Sequence, residues 1–292
     1  MGKPLIGTNH QTVRLQGPGL DLELGSRVLI MGIVNITPDS FSDGGRFLNT
    51  DDAIRQAERL SEEGADLIDL GGESSRPGAD AVPVEEEIRR VVPVIERLAP
   101  RLPIPISIDT CKAEVARRAV AAGARIINDI SALRSDPEMA PLAAREGVPV
   151  VLMHMKGTPK DMQARPVYAD VVRDIAEFFE TRIRLAEQSG IPRERIVLDP
   201  GIGFGKTIDH NLEILARLDE FRSLGRPILI GPSRKSFIGQ ILGLPVEERL
   251  EGTAAAVAVG ILNGASIIRV HDVRAMSRVA RMVEAIGRFG HV

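Results

Sequence analysis

Cysteine and aromatic residues are nearly missing from this sequence. It has one cysteine (Cys111), no tryptophan and one tyrosine, and aromatics make up 3% of its 292 residues. A single cysteine excludes an internal disulfide and any cysteine-based metal site. The scarcity of aromatics leaves Ile, Val, Leu and Ala to build the core, a composition suited to parallel strands buried on both faces. An excess of either charge is also absent: 37 Lys and Arg against 40 Asp and Glu leave a net charge of −3. That balance gives no reason to expect nucleic acid or an anionic membrane as a partner. No apolar run is long enough to cross a bilayer. The opening MGKPLIGTNHQTVRLQ lacks the apolar core of a signal peptide. A cytoplasmic protein is therefore expected. With 43% hydrophobic and 26% charged residues, the chain falls among folded globular proteins rather than disordered ones. Its length suits one large α/β barrel and would also hold two ordinary domains.

What is present is a regular alternation of short apolar runs and amphipathic segments. Eight runs read as strands: residues 28–34, 67–70, 105–108, 125–128, 148–153, 196–198, 227–230 and 267–270. Between them lie helical patterns over 50–63, 84–98, 113–122, 171–189, 210–223, 247–263 and 273–288. Asn49, Thr50, Asp51 and Asp52 read as cap and first-turn residues of the first helix. Gly64, Gly123, Gly147 and Gly190 read as helix-ending glycines in the left-handed region. Repeated strand–helix units imply a parallel sheet with right-handed crossovers, and eight of them favour closure into a (β/α)8 barrel. No linker or low-complexity segment divides the chain, so residues 1–292 read as one domain. Residues 12–24 alternate enough to form a small β-hairpin over the barrel floor.

Polar residues collect where these strands end: Asn35, Glu73, Asp109, Asn128, His154, Asp199, Ser233, Lys235, Arg269 and His271. In a (β/α)8 barrel all such positions face one mouth, where active sites are built. Any one of them reads equally well as a helix cap or a satisfied core polar group. A polar group at every strand end does not, because burying unpaired polar groups is costly. Two of the loops at this end, MGIVNITPDSFSDGGRF (31–47) and DLGGESSRPGA (69–79), are long, rich in Gly and Ser, and suited to a mobile lid.

The remaining strand ends carry SIDTCK (107–112), IIND (126–129), LMHMKG (152–157), VLDPGIGFGK (197–206), GPSRKSFIG (231–239) and RVHDV (269–273). GFGK alone is not a Walker sequence and reads as an ordinary turn. Taken in order, the set resembles the signatures of the dihydropteroate synthase family over residues 31–273. The resemblance implies a barrel enzyme that joins a dihydropterin pyrophosphate to p-aminobenzoate and releases pyrophosphate. It implies a pterin held by Asp109, Asn128, Asp199 and Lys235, with Met153 against the ring. A pterin edge carries paired N–H donors that match a carboxylate and mixed groups that match an amide. It implies pyrophosphate contacts from Asn35, Ser75, Arg269 and His271, with Mg2+ bridging phosphate oxygens and Asn35 beside the metal. Hard, substrate-borne oxygen ligands suit that ion. Arg269 and His271 stand two apart and so face one side of an extended strand end. For p-aminobenzoate the resemblance implies Phe41, Ser75, Pro77, Phe204, Ser233 and Lys235, and Asp39 with Arg76 as a pair closing the lid. Catalytic roles fall on Lys235, Arg269, His271 and Asp199. A homodimer through the last helices is implied as well.

The expected chemistry is loss of pyrophosphate from the pterin methylene carbon, followed by attack of the neutral aryl amine. No covalent enzyme intermediate is needed. A methyltransferase that moves a methyl group from a folate to a corrinoid would share the barrel and the pterin contacts, but has no use for RVHDV or SRKS. A binding or assembly subunit that has lost activity would be marked by loss of Asn35, Asp109, Lys235 or Arg269, and all four are present. Cys111 lacks a partner set to activate a thiol and reads as a buried or partly buried side chain. His10 reads as exposed, and His210 as a first-turn helix residue.

Overall fold

The structure is a computed structural model, and it describes residues 12–36, 46–74, 78, 80–158, 160–162 and 166–289; for residues 46–49 only the backbone is described. It opens with a two-stranded antiparallel hairpin, β1 (Val13–Gly17) and β2 (Leu20–Leu24). Pro18 presets one turn torsion, and Gly19 supplies the positive φ of +67° that the turn requires. Eight parallel strands follow, each feeding helical structure. They are β3 (Leu29–Asn35), β4 (Leu67–Gly71), β5 (Ile106–Asp109), β6 (Ile126–Asp129), β7 (Val150–Met153), β8 (Ile196–Asp199), β9 (Leu229–Ile230) and β10 (Ile267–Val270). The sheet order is β8-β7-β6-β5-β4-β3-β10-β9, and a parallel bridge between Leu198 and Ile228 joins its two ends. The result is the expected (β/α)8 barrel with its N-terminal hairpin.

The strands are almost wholly buried and made of Ile, Leu, Val and Met, because helices cover the outside and side chains fill the inside. The helices are α1 (Arg46–Glu62), α2 (Val84–Leu98), α3 (Ala113–Ala122), α4 (Met139–Glu146), α5 (Val171–Gln188), α6 (Ile208–Ala216), α7 (Ser236–Leu242), α8 (Leu250–Leu262) and α9 (Val273–Gly287). Leu15, Leu20 and Leu24 of the hairpin pack on Leu29, Leu67, Ile126, Val197, Leu229 and Ile267, near the starts of six strands. The hairpin thus plugs the floor, as its alternation suggests. Gly64, Gly123, Gly147 and Gly190 all take positive φ after helix ends.

Several boundaries differ from expectation. α1 begins at Arg46, so residues 49–52 lie within the helix and do not cap it. α4 and α7 are absent from the sequence-predicted set because seven or eight residues are too few for a 3.6-residue periodicity to emerge. The pattern over 210–223 divides into α6 and a 3-10 segment, Leu218–Leu224. α8 begins at Leu250 rather than at 247. His210 does sit in the first turn of α6, where Thr207 Oγ1 accepts its N–H at 3.2 Å and Thr207 N donates to its ring at 3.2 Å.

Candidate active site

The centre of the barrel mouth is an ion cluster built on Arg269, the third residue of β10. Its Nε donates to Asp69 Oδ2 at 2.6 Å and its Nη2 to Asp109 Oδ2 at 2.7 Å. Asn128 Nδ2 donates to the same Asp69 oxygen at 3.0 Å. Asp69 is completely buried. Asp109 and Asn128 are register partners on β5 and β6, and Asp69, two residues earlier on the adjacent β4, reaches them through Arg269 and the Asn128 amide. Asn35 ends β3; a Cβ placed on Gly71 would lie 3.8 Å from its Oδ1 and 3.7 Å from Asp109 Oδ2, so both side chains border Gly71.

Asp199 ends β8 and accepts a hydrogen bond from Gly201 N at 2.7 Å. Gly201 has φ of +70°, and any Cβ there would fall 2.0 Å from His154 O, so only glycine permits this contact. Lys235 begins the turn into α7, and its Nζ lies 3.9 Å from the centroid of the Phe204 ring. Gly203 makes room for it, since a Cβ would approach Lys235 Cδ to 2.9 Å. Met153, Met155, Met162 and Phe204 form a separate apolar cluster on this side of the mouth.

Burial sets the protonation of these groups, and the ion cluster corrects it. Burial pushes Asp199 up to about 6, although the Gly201 N–H and the charges of Arg269, Lys235 and Lys206 pull it down. Burial likewise raises Asp109, against the opposing pull of Arg269. Burial and then Arg269 bring Lys235 down to about 8, against the opposing pull of Asp199 and Asp109. Burial disfavours the charge on Arg269, yet Asp69 and Asp109 outweigh it and hold the guanidinium above its ordinary value. His271 is pushed down to about 4 by burial and then by Arg269 and Arg234, so its imidazole is neutral near pH 7. Burial also pushes the Cys111 thiol up, in keeping with a structural side chain.

His271 does not stand free beside Arg269. Its Nδ1 lies 3.0 Å from Ser233 Oγ, and its backbone N donates to the same oxygen at 3.2 Å. Ser233 is buried. The Ser233 hydroxyl is thus already paired with His271. Ser236, exposed at the start of α7, borders an open cavity of about 480 Å3 between the starts of α6 and α7. Below, Arg234 holds Asp272 through two bonds of 2.9 and 2.7 Å, which anchors the β9 and β10 ends to each other.

The structure therefore gathers Asn35, Asp109, Asn128, Met153, Asp199, Phe204, Ser233, Lys235, Arg269 and His271 at one end of the barrel. Asp39, Phe41, Ser75, Arg76 and Pro77 lie outside the described residues. Two buried charges escaped the sequence reading. Asp69 is the single acid inside an otherwise apolar strand, LIDLG, which is a usable signal. Lys206 sits in the turn GFGK and is buried against His154. Among the described residues there is no group of three or more His, Cys, Asp or Glu able to hold a metal ion.

A family model for pterin-binding enzymes matches residues 31–271. The dihydropteroate synthase of Escherichia coli K12 is 50% identical over 270 residues, covering 92% of this chain and 94% of its own. The chain belongs to the dihydropteroate synthase family. Two solved members of that family superpose on it with a TM-score of 0.89. The Yersinia pestis synthase, determined with a sulfonamide drug complex, is 47% identical, and the Xanthomonas albilineans synthase, determined with 4-aminobenzoic acid, is 49% identical. Each alignment covers 94% of this chain and 98% of the other.

Proposed function

We propose that this protein condenses 6-hydroxymethyl-7,8-dihydropterin pyrophosphate with p-aminobenzoate, giving 7,8-dihydropteroate and pyrophosphate in folate biosynthesis. The observation that carries this reading is the joined pair of half-sites in the mouth. A carboxylate and amide set (Asp109, Asn128, Asp199) fits the donor edge of a pterin, and Arg269 stands within hydrogen-bonding distance of that set, with a guanidinium fork suited to phosphate oxygens. Met153 supplies an apolar face for the ring. Lys235 and Phe204 bound the next space, where the aryl amine would lie, with Ser233 near its carboxylate. Ser75, Phe41 and Pro77 complete these pockets from the two long loops, with Asp39 and Arg76 as a closing pair.

Chemistry then follows from charge. The C–O bond to pyrophosphate breaks, and Arg269 and the neutral His271 bind the departing anion. Asp199 and Asp109 favour positive charge on the pterin. The amine nitrogen forms the new C–N bond and gives up a proton, with no nucleophilic side chain required. Magnesium fits this site as a substrate-borne ion, because the mouth offers amide oxygens such as Asn35 Oδ1 and, among the described residues, no group of three His, Cys, Asp or Glu able to hold a metal. When bound it supplies charge neutralisation to the leaving group. Calorimetry should show little magnesium binding to the empty protein.

The whole chain, residues 1–292, acts as one barrel unit in the cytoplasm and as a homodimer. No helix among the described residues is long and apolar enough to cross a membrane. Val259 of α8, with Met282, Ile286 and Phe289 on and after α9, leave apolar side chains exposed on the last helices. The decisive experiment is a coupled assay for pyrophosphate release: release must require both substrates, and release with either one alone refutes the reading.

A further inference from the structure

The turn from β8 to α6 carries Phe204 on a backbone rich in glycine. Gly201, Gly203 and Gly205 alternate within five residues, all at positive φ (+70°, +84° and +62°). Such a segment loses more conformational entropy on ordering than any other composition. The glycines are needed for close packing, because a Cβ on Gly205 would come within 2.4 Å of Lys156 O. The order must therefore come from bonds made by other residues.

Asp199 Oδ1 accepts from Gly201 N and Asn211 Oδ1 from Gly203 N, both at 2.7 Å, and Lys206 is the side chain that binds Phe204 itself. It is 3% exposed, and its Nζ reaches three acceptors: Phe204 O at 2.9 Å, His154 Nδ1 at 3.1 Å and His154 O at 3.3 Å. Three donors meet three acceptors, which is the condition for burying an ammonium group. His154 is suited to accept, since burial and then the Lys206 charge keep its imidazole neutral. One end of this network is the residue just past β7, and the other is the backbone of Phe204 itself. Tyr168 adds a second tie, its hydroxyl donating to Gly205 O at 2.8 Å. Neither side chain has a part in the chemistry described above.

We propose that Lys206 is a positioning residue for the acceptor substrate: its buried ammonium ties residues 201–205 to the end of β7 and so holds the Phe204 ring against Lys235. The inference rests on the reading that p-aminobenzoate lies at Phe204. A lysine here does what a methionine of similar volume cannot, because the tie is made of hydrogen bonds to two backbone carbonyls and a ring nitrogen.

The test compares Lys206→Met with the wild type, and adds Tyr168→Phe, which cuts the second tie without disturbing a buried charge. Amide hydrogen exchange at residues 201–205 reads the tie without reference to any substrate. Steady-state kinetics and pterin fluorescence read its consequence. Exchange at these amides should quicken roughly tenfold in Lys206→Met, and KM for p-aminobenzoate should rise by about the same factor, while pterin affinity stays within about twofold. Tyr168→Phe should shift both quantities in the same direction by less. Unchanged exchange in both variants overturns the tie, whatever the substrates prove to be. Faster exchange with an unchanged KM for p-aminobenzoate, or an equal loss of affinity for both substrates, overturns the role in acceptor binding and points to a different location for the acceptor.

Discussion

At the scale of single residues, the site works by forcing charged groups out of water and then pairing them unequally. Lys235 is the clearest case. Burial lowers its pKa to about 8, its carbon chain lies along Gly203, and its ammonium group caps the Phe204 ring. Removing it should cost about 2–4 kcal/mol of transition-state stabilisation, the range for one preorganised donor, so kcat/KM of Lys235→Ala should fall roughly 30- to 900-fold. Near-normal turnover would take Lys235 out of the site. Asp199 makes a prediction about pH. Its folded-state pKa of about 6 lies above the ordinary 3.8. The native protein therefore holds this proton more tightly than the unfolded chain does, and the contribution of Asp199 to stability falls as pH rises between about 4 and 6. Function has the opposite need, because only the ionised carboxylate accepts from two pterin N–H groups. Pterin affinity should thus weaken as pH drops below about 6. Binding that stays flat down to pH 5 would mean that the pterin does not meet an ionised Asp199.

At the scale of elements, chemistry and stability occupy opposite ends of the barrel. The mouth collects ions at the strand ends, whereas the hairpin β1–β2 closes the floor with leucines. Leu15 is fully buried beneath the strand starts. Leu15→Ala should lower unfolding free energy by about 2–5 kcal/mol, the range for a large apolar side chain deleted from a packed core. The KM values should not change, because the leucine cluster beneath the strands contains no site residue among those described. Denaturant unfolding and steady-state kinetics on the same variant check both halves, and a large change in either KM would mean that floor and mouth are mechanically coupled.

At the scale of the whole molecule, the exposed apolar side chains of α8 and α9 suggest a covered face. Met282 and Ile286 are 61% and 56% exposed and stand one helical turn apart. A charge placed on such a face has to be desolvated when a second copy docks. On the proposed dimer, the wild type should sediment as dimer and Ile286→Glu as monomer, with the barrel unaltered by circular dichroism. A wild-type protein that is monomeric at assay concentrations, or a variant that remains dimeric, would move the interface elsewhere.

The order of elements, their parallel arrangement and the end of the barrel that holds the site were legible in residue order. Eight short runs of Ile, Val and Leu, each ending in a polar residue, have few other ways to bury themselves. Asp109, Asn128 and Asp199 could be named in advance because each lies at the C-terminal end of its strand within a motif of the family, and strand ends share one face by topology. Helices as short as α4 and α7 carry no periodicity and emerged only when packed. The partners of each charge were likewise a matter of three-dimensional structure. Nothing local links Asp69 to Arg269, which are 200 positions apart, or shows that Ser233 spends its hydroxyl on His271. The same holds for Lys206: in the chain it is one lysine after a glycine-rich turn, and only the approach of β7 surrounds it with three acceptors. Local sequence determines which groups reach the mouth. Which of them remain charged, and which are already paired, depends on desolvation and distance, and both exist only once the barrel has closed.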